Sequence, residues 1–121
     1  MILVDTSVWI DHLRKSDAEL ENLLEHGSVL SHPYVIGELA LGSIPKRNVF
    51  LDAMGDLPKA TMAEDDEVLR FISDYSLFGL GVGYVDVHLL AAVKLTAGAS
   101  LWTRDKQLLR VAQKLRLNSN F

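Results

Sequence analysis

The stretch Ile2-Leu3-Val4-Asp5-Thr6-Ser7-Val8-Trp9-Ile10-Asp11-His12-Leu13 decides the fold. Three aliphatic residues in a row, two of them β-branched, read as a short strand buried on both faces. Asp5 ends the run. From Ser7 to about Lys15 the apolar residues recur at helical spacing, with Thr6 or Ser7 available as the cap. A strand that ends in an acid and turns directly into a helix is the first half of a βα unit, and such units build parallel sheets.

The same pattern returns near the far end. Ser100-Leu101-Trp102-Thr103 reads as a strand, and a helix follows from Asp105 to Leu115. Between these units the spacing predicts a helix from Asp17 to His26 closed by Gly27, and a short strand over Ser28–Ser31. A helix entered at Pro33 runs to Leu41 and is closed by Gly42. Further helices are predicted over Arg47–Met54, Glu64–Leu77 and Val85–Ala97, with a strand at Ala60–Met62 and an edge strand near Leu117. This alternation gives an α/β class. The expected architecture is a three-layer sandwich, with a central parallel sheet of four to five strands flanked by helices. Ligands in such sheets sit at the carboxyl ends of the strands.

The chain has 121 residues, which suits one domain spanning 1–121. It contains no cysteine, so disulfides, thiolate metal sites and cysteine nucleophiles are excluded. The first apolar run is too short for a signal peptide or a membrane span, so a soluble, cytoplasmic protein without membrane contact is expected. The net charge of −4 is unevenly spread. Residues 1–66 carry twelve acids and five bases, and residues 67–121 carry four acids and seven bases. The bases Arg104, Lys106, Arg110, Lys114 and Arg116 can form a phosphate-holding patch, or simply the solvated face of a C-terminal helix.

Four acids stand out. Asp5 should lie at the carboxyl end of its strand, where an acid also suits a turn or a helix cap. Asp86 opens an otherwise apolar helix, where the helix dipole by itself favours an acid. Asp105 repeats the arrangement of Asp5, and it too could be a plain N-cap. Glu38 is the only acid in Tyr34-Val35-Ile36-Gly37-Glu38-Leu39-Ala40-Leu41, with no base three or four positions away. It therefore reads as sharing the core-forming face, unless it reaches water or a distant Arg at the boundary. Four carboxylates brought to one sheet edge repel one another, and a divalent cation relieves the conflict. All-oxygen donors select Mg²⁺ or Mn²⁺ over zinc. The histidines His12, His26, His32 and His88 lack ligand spacing and read as structural or surface residues. The loop Gly79-Leu80-Gly81-Val82-Gly83 lacks a full dinucleotide fingerprint and reads as a lead-in to the Asp86 helix.

The ordered set Val4-Asp5-Thr6-Ser7-Val8, the Glu38 helix, Tyr84-Val85-Asp86-Val87-His88-Leu89-Leu90-Ala91-Ala92 and Thr103-Arg104-Asp105 resembles the PIN-domain nucleases. Within them it is most similar to the VapC toxins of bacterial toxin–antitoxin pairs. The resemblance spans nearly the whole chain. It implies a PIN-like sandwich and a metal site formed by Asp5, Glu38, Asp86 and Asp105. It also implies hydroxyls, Thr6 or Ser7 and Thr103, that orient those carboxylates. The implied activity is Mg²⁺-dependent hydrolysis of RNA, with Mn²⁺ as a substitute, leaving 5′-phosphate and 3′-hydroxyl ends. Arg104, Lys106, Lys46 and Arg47 are candidates for phosphate contacts. The implied partners are a cognate VapB-like antitoxin and a second copy in a homodimer; Val8, Trp9 and Leu13 can offer the antitoxin an apolar surface, although core burial is the default for such residues. Rival readings are a PIN nuclease of RNA processing without an antitoxin, an inactive PIN-like binding module, and a receiver-like phosphoacceptor domain.

Overall fold

The structure, a computed structural model, describes residues 1–121. Its elements in chain order are β1 (Ile2–Val4), α1 (Thr6–Arg14), α2 (Ala18–Glu25), β2 (Val29–Leu30), α3 (Pro33–Ala40) and α4 (Arg47–Asp56), followed by α5 (Asp65–Asp74), α6 (Tyr84–Leu95), β3 (Ser100–Trp102) and α7 (Lys106–Leu115). No helix is long and apolar enough to cross a membrane.

The sheet has the order β2-β1-β3, all parallel, with Leu3 opposite Leu30 on one side and Leu101 on the other. Leu3, Val4 and Leu101 are fully buried, as a strand covered on both faces requires. The strands expected at Ala60–Met62 and near Leu117 shrink to single parallel bridges, Ser31 with Lys59 and Leu101 with Asn118. The chain thus crosses the sheet in the order Lys59, β2, β1, β3, Asn118. From β1 it steps outward through β2 to Lys59, then returns to lie on the other side of β1. By the rule that such crossovers are right-handed, this order assigns α1–α4 to one face and α5–α7 to the other. The observed packing of α1 on α3, α3 on α4, α5 on α6 and α6 on β3 agrees. The direction of winding therefore reverses between β1 and β3, and their carboxyl ends border the crevice that such a reversal opens.

Local chemistry sets the helix starts, and it moves some expected boundaries. Asp5, rather than Thr6 or Ser7, caps α1: its side chain accepts the Ser7 N–H. Asp17 caps α2, accepting from Leu20, and Gly27 closes the following turn with φ +64°. Helix α3 begins at Pro33, and its cap is the ring of His32, whose Nδ1 accepts the Tyr34 N–H at 3.0 Å. Helix α5 stops at Asp74, short of the expected Leu77, because Ser76 adopts a left-handed φ of +53°. The loop before α6 turns on Gly79 and Gly81, with φ of +72° and +79°. A Cβ on Gly81 would also lie 3.4 Å from Gln107 Nε2, so the loop closes against the start of α7.

Candidate active site

Asp5 and Asp105 arise from the same local rule. Each follows an apolar strand and caps the next helix, Asp105 accepting the Leu108 N–H at 2.9 Å. Asp86 sits in the first turn of α6 and reaches back to the Gly83 N–H at 3.3 Å. Three helix N-termini therefore point toward this crevice, and each favours negative charge.

Asp5 is the most firmly held of these acids and is buried. Its Oδ2 accepts the Ser7 hydroxyl at 2.7 Å and the Thr103 hydroxyl at 2.8 Å. No hydrogen bond within the protein uses Oδ1, which leaves that oxygen free for a ligand. Thr103 in turn accepts the Asp105 N–H at 3.1 Å, and Ser7 accepts the Arg104 N–H at 3.0 Å. One hydroxyl pair thus ties the ends of β1 and β3 together.

Glu38 departs from its expected environment. It is exposed, while Val35 and Leu39 form the buried face of α3. The absence of a local cation reflects access to water, not burial. The carboxylate is turned toward the same crevice and accepts the Thr6 hydroxyl at 3.1 Å. The two hydroxyls offered as alternatives are therefore both used, Ser7 on Asp5 and Thr6 on Glu38.

The four carboxylates feel one another at Asp86. Its acidity is weakened first by partial burial and further by repulsion from Asp5, Asp105 and Glu38, against the Gly83 N–H, which favours the ionised form. None of the four forms an ion pair with a base. No three carboxylates or histidines are grouped tightly enough to form a finished cage for one ion. The all-oxygen donor set, uncompensated by any protein cation, fits a hard divalent ion.

The basic candidates are placed differently from one another. Arg104 is committed to carboxylates: it donates to Asp11 at 2.8 Å and to Asp17, and its guanidinium lies 5.4 Å from the Trp102 ring centre. These partners hold Arg104 above its ordinary pKa, and Arg104 holds Asp17 below the usual carboxylate range. Arg47 donates to the Ala40 carbonyl at 2.8 Å and 3.2 Å. Lys46 and Lys106 are exposed at the starts of α4 and α7. Of the apolar residues that could have met an antitoxin, Val8 and Trp9 take the default and are buried in the core. Leu13 lines a cavity of about 440 Å³ with Ile10, Leu39, Ile44 and Pro45, and Glu38 forms part of its wall.

A polar cluster beside the site escaped the sequence reading. Both His32 and His88 are fully buried, and His88 Nε2 lies 3.2 Å from Asp65 Oδ1, which also accepts the Tyr84 hydroxyl at 3.0 Å. His32 Nε2 and His88 Nδ1 have no partner. Burial, with a smaller contribution from His88, lowers the His32 pKa from 6.5 to about 4. The only sequence signal for His32 was its place just before Pro33 at a helix start.

A family model for the PIN domain matches residues 2–114. Two proteins called ribonuclease VapC32, from Mycobacterium tuberculosis strains CDC 1551 / Oshkosh and ATCC 25618 / H37Rv, are 54% identical to the chain over 108 residues. The matches cover 89% of this chain and 87% of each relative. No solved structure matches the chain significantly.

Proposed function

The chain belongs to the PIN-domain family, and on that premise we propose that it is a metal-dependent endoribonuclease, the toxin of a VapBC-type toxin–antitoxin pair, folded as one nuclease domain. The observation that carries this reading is the set of four carboxylates around Asp86, none neutralised by a protein cation. The relatives named as ribonucleases supply the substrate class.

Asp5, Asp86 and Asp105 would hold Mg²⁺, or Mn²⁺ in its place, with Glu38 as a further ligand or as the group that orients the attacking water. A divalent cation bound there acidifies a water and offsets charge on the phosphodiester. The chain's own residues do the rest. Ser7 and Thr103 fix Asp5 through Oδ2, which leaves Oδ1 without a protein hydrogen bond and free for a ligand. Thr6 holds Glu38 Oε1, which leaves Oε2 to take a proton from water or bind the ion. The N-termini of α1, α6 and α7 keep the acids ionised as RNA brings further negative charge. Lys106, Lys46 and Arg47 are candidates to receive phosphates. Cleavage would leave 5′-phosphate and 3′-hydroxyl ends.

The cavity lined by Ile10, Leu13 and Ile44 would take an apolar antitoxin segment, and Glu38 in its wall would let that segment block the site. A cytoplasmic location and a homodimer complete the reading.

The test is cleavage of RNA by purified protein with Mg²⁺, with Mn²⁺ and with a chelator, beside a Glu38→Gln variant, followed by sequencing of the cut ends. Activity that needs the metal and falls sharply in Glu38→Gln is the expected result. Cleavage indifferent to chelator would overturn the assignment.

A further inference from the structure

Beside the carboxylate crevice lies a cavity of about 560 Å³, bordered by Glu19, Trp102, Thr103, Arg104, Asn120 and Phe121. Thr103 belongs to both, since its hydroxyl holds Asp5 at 2.8 Å. We propose that this cavity is a nucleobase pocket, which seats one base of single-stranded RNA next to the scissile phosphate; this rests on the nuclease reading.

The chemistry of the walls selects a base over a phosphate. Arg104 is a poor fork for a phosphate, because Nη1 and Nη2 each already donate to a carboxylate, Asp11 and Asp17. Those two acids cancel its charge, and Glu19 adds negative charge to the rim. What Arg104 can add for a ligand is stacking of its plane on a planar ring, as it already does against Trp102 at 5.4 Å. Phe121 supplies a second such surface. Its ring packs on Trp102 with centres 5.1 Å apart and planes tilted by 37°, yet the residue is 49% exposed. An exposed aromatic ring backed by a buried one is a firm stacking platform, and every base has a π-face to offer. Asn120 is exposed, and its amide makes no hydrogen bond within the protein. It can both donate to and accept from a base edge.

Binding is measured in an Asp86→Asn background, so that RNA is held without turnover. The probe is a single-stranded ten-nucleotide RNA carrying 2-aminopurine at successive positions, whose fluorescence falls on stacking. One position is expected to be quenched. Adding Phe121→Ala abolishes that quenching and weakens binding roughly five- to hundred-fold. The slope of affinity against salt stays unchanged, because no phosphate contact is lost. Phe121→Trp retains the affinity. Asn120→Asp, which leaves the Phe121 ring packing in place, also weakens binding and so covers the case of an unstable Phe121→Ala. Unchanged affinity and quenching in both Phe121→Ala and Asn120→Asp overturn the pocket and leave the nuclease reading standing. RNA that neither binds to Asp86→Asn nor is cut by the wild-type protein overturns both.

Discussion

The hydroxyl of Thr103 donates to the carboxylate of Asp5 at 2.8 Å, joining residues 98 positions apart in the chain. The bond spans the point where the winding of the sheet reverses, and it orients the most buried acid of the crevice. Thr103→Val keeps the shape and removes the donor. Its cleavage rate is expected to fall about 10- to 100-fold. Its stability is expected to fall by about 1 kcal/mol. Single-turnover cleavage and urea unfolding separate the two effects.

Asp86→Asn is expected to lose about 100-fold or more in cleavage rate, as loss of a group that organises charge at the reacting centre does. The same variant should melt at a higher temperature than wild type in chelator at pH 7. Partial burial and the three neighbouring acids raise the Asp86 pKa on folding. A raised carboxylate pKa means that the folded protein binds the proton more tightly than the unfolded chain. Its stabilising contribution is therefore present at low pH and lost as pH rises through the folded pKa. The melting difference should disappear by about pH 3, where the carboxyl is protonated in both states. An equal or lower melting temperature for Asp86→Asn at pH 7 would contradict this account.

His32 predicts the opposite limb. Its pKa falls from 6.5 to about 4 on folding, so the unfolded chain binds the proton more readily in that window. Stability should decline as pH drops from 6.5 toward 4, by up to about 3 kcal/mol from this residue. Protonation also removes the acceptor that caps α3, since Nδ1 takes the Tyr34 N–H. His32→Asn supplies a capping side chain that does not titrate. It should be less stable at pH 7, from the space the ring leaves, but show a shallower acid decline. Unfolding curves at successive pH values measure both slopes.

Arg104 and Lys106 flank Asp105, the cap of α7, and should behave differently. Arg104→Ala removes two ion pairs and a ring contact, and should cost about 1 kcal/mol of stability while leaving the salt slope of RNA binding unchanged. Lys106→Ala should leave stability within about 0.5 kcal/mol and lower the salt slope by about 1. Salt titrations of RNA binding in the Asp86→Asn background compare them.

The strand-then-acid pattern at Asp5 and Asp105 was legible because both halves of it are local: an apolar run, then a capping carboxylate. Glu38 was singled out on a premise that failed. Three- and four-residue spacing correctly excluded a cation, but the helix turns Val35 and Leu39 inward and leaves Glu38 in water. Its actual partner, Thr6, lies 32 positions away, where periodicity carries no information. Arg104 was read as a free base for the same reason, since Asp11 and Asp17 reach it only through the fold. His32 read only as a structural or surface residue, because nothing local marks a ring that replaces the usual Ser or Asp cap. The outer strands were placed but not sized, because residue pattern does not say how far a segment pairs, and Lys59 and Asn118 each pair at one residue.

Those one-residue bridges bear on how the molecule behaves in a crowd. A sheet with long, flat borders displays rows of free amide and carbonyl groups onto which another chain can zip. Here each border is a single rung. A stranger's strand finds almost no ladder to climb, so the fold resists edge-to-edge aggregation through the brevity of its margins.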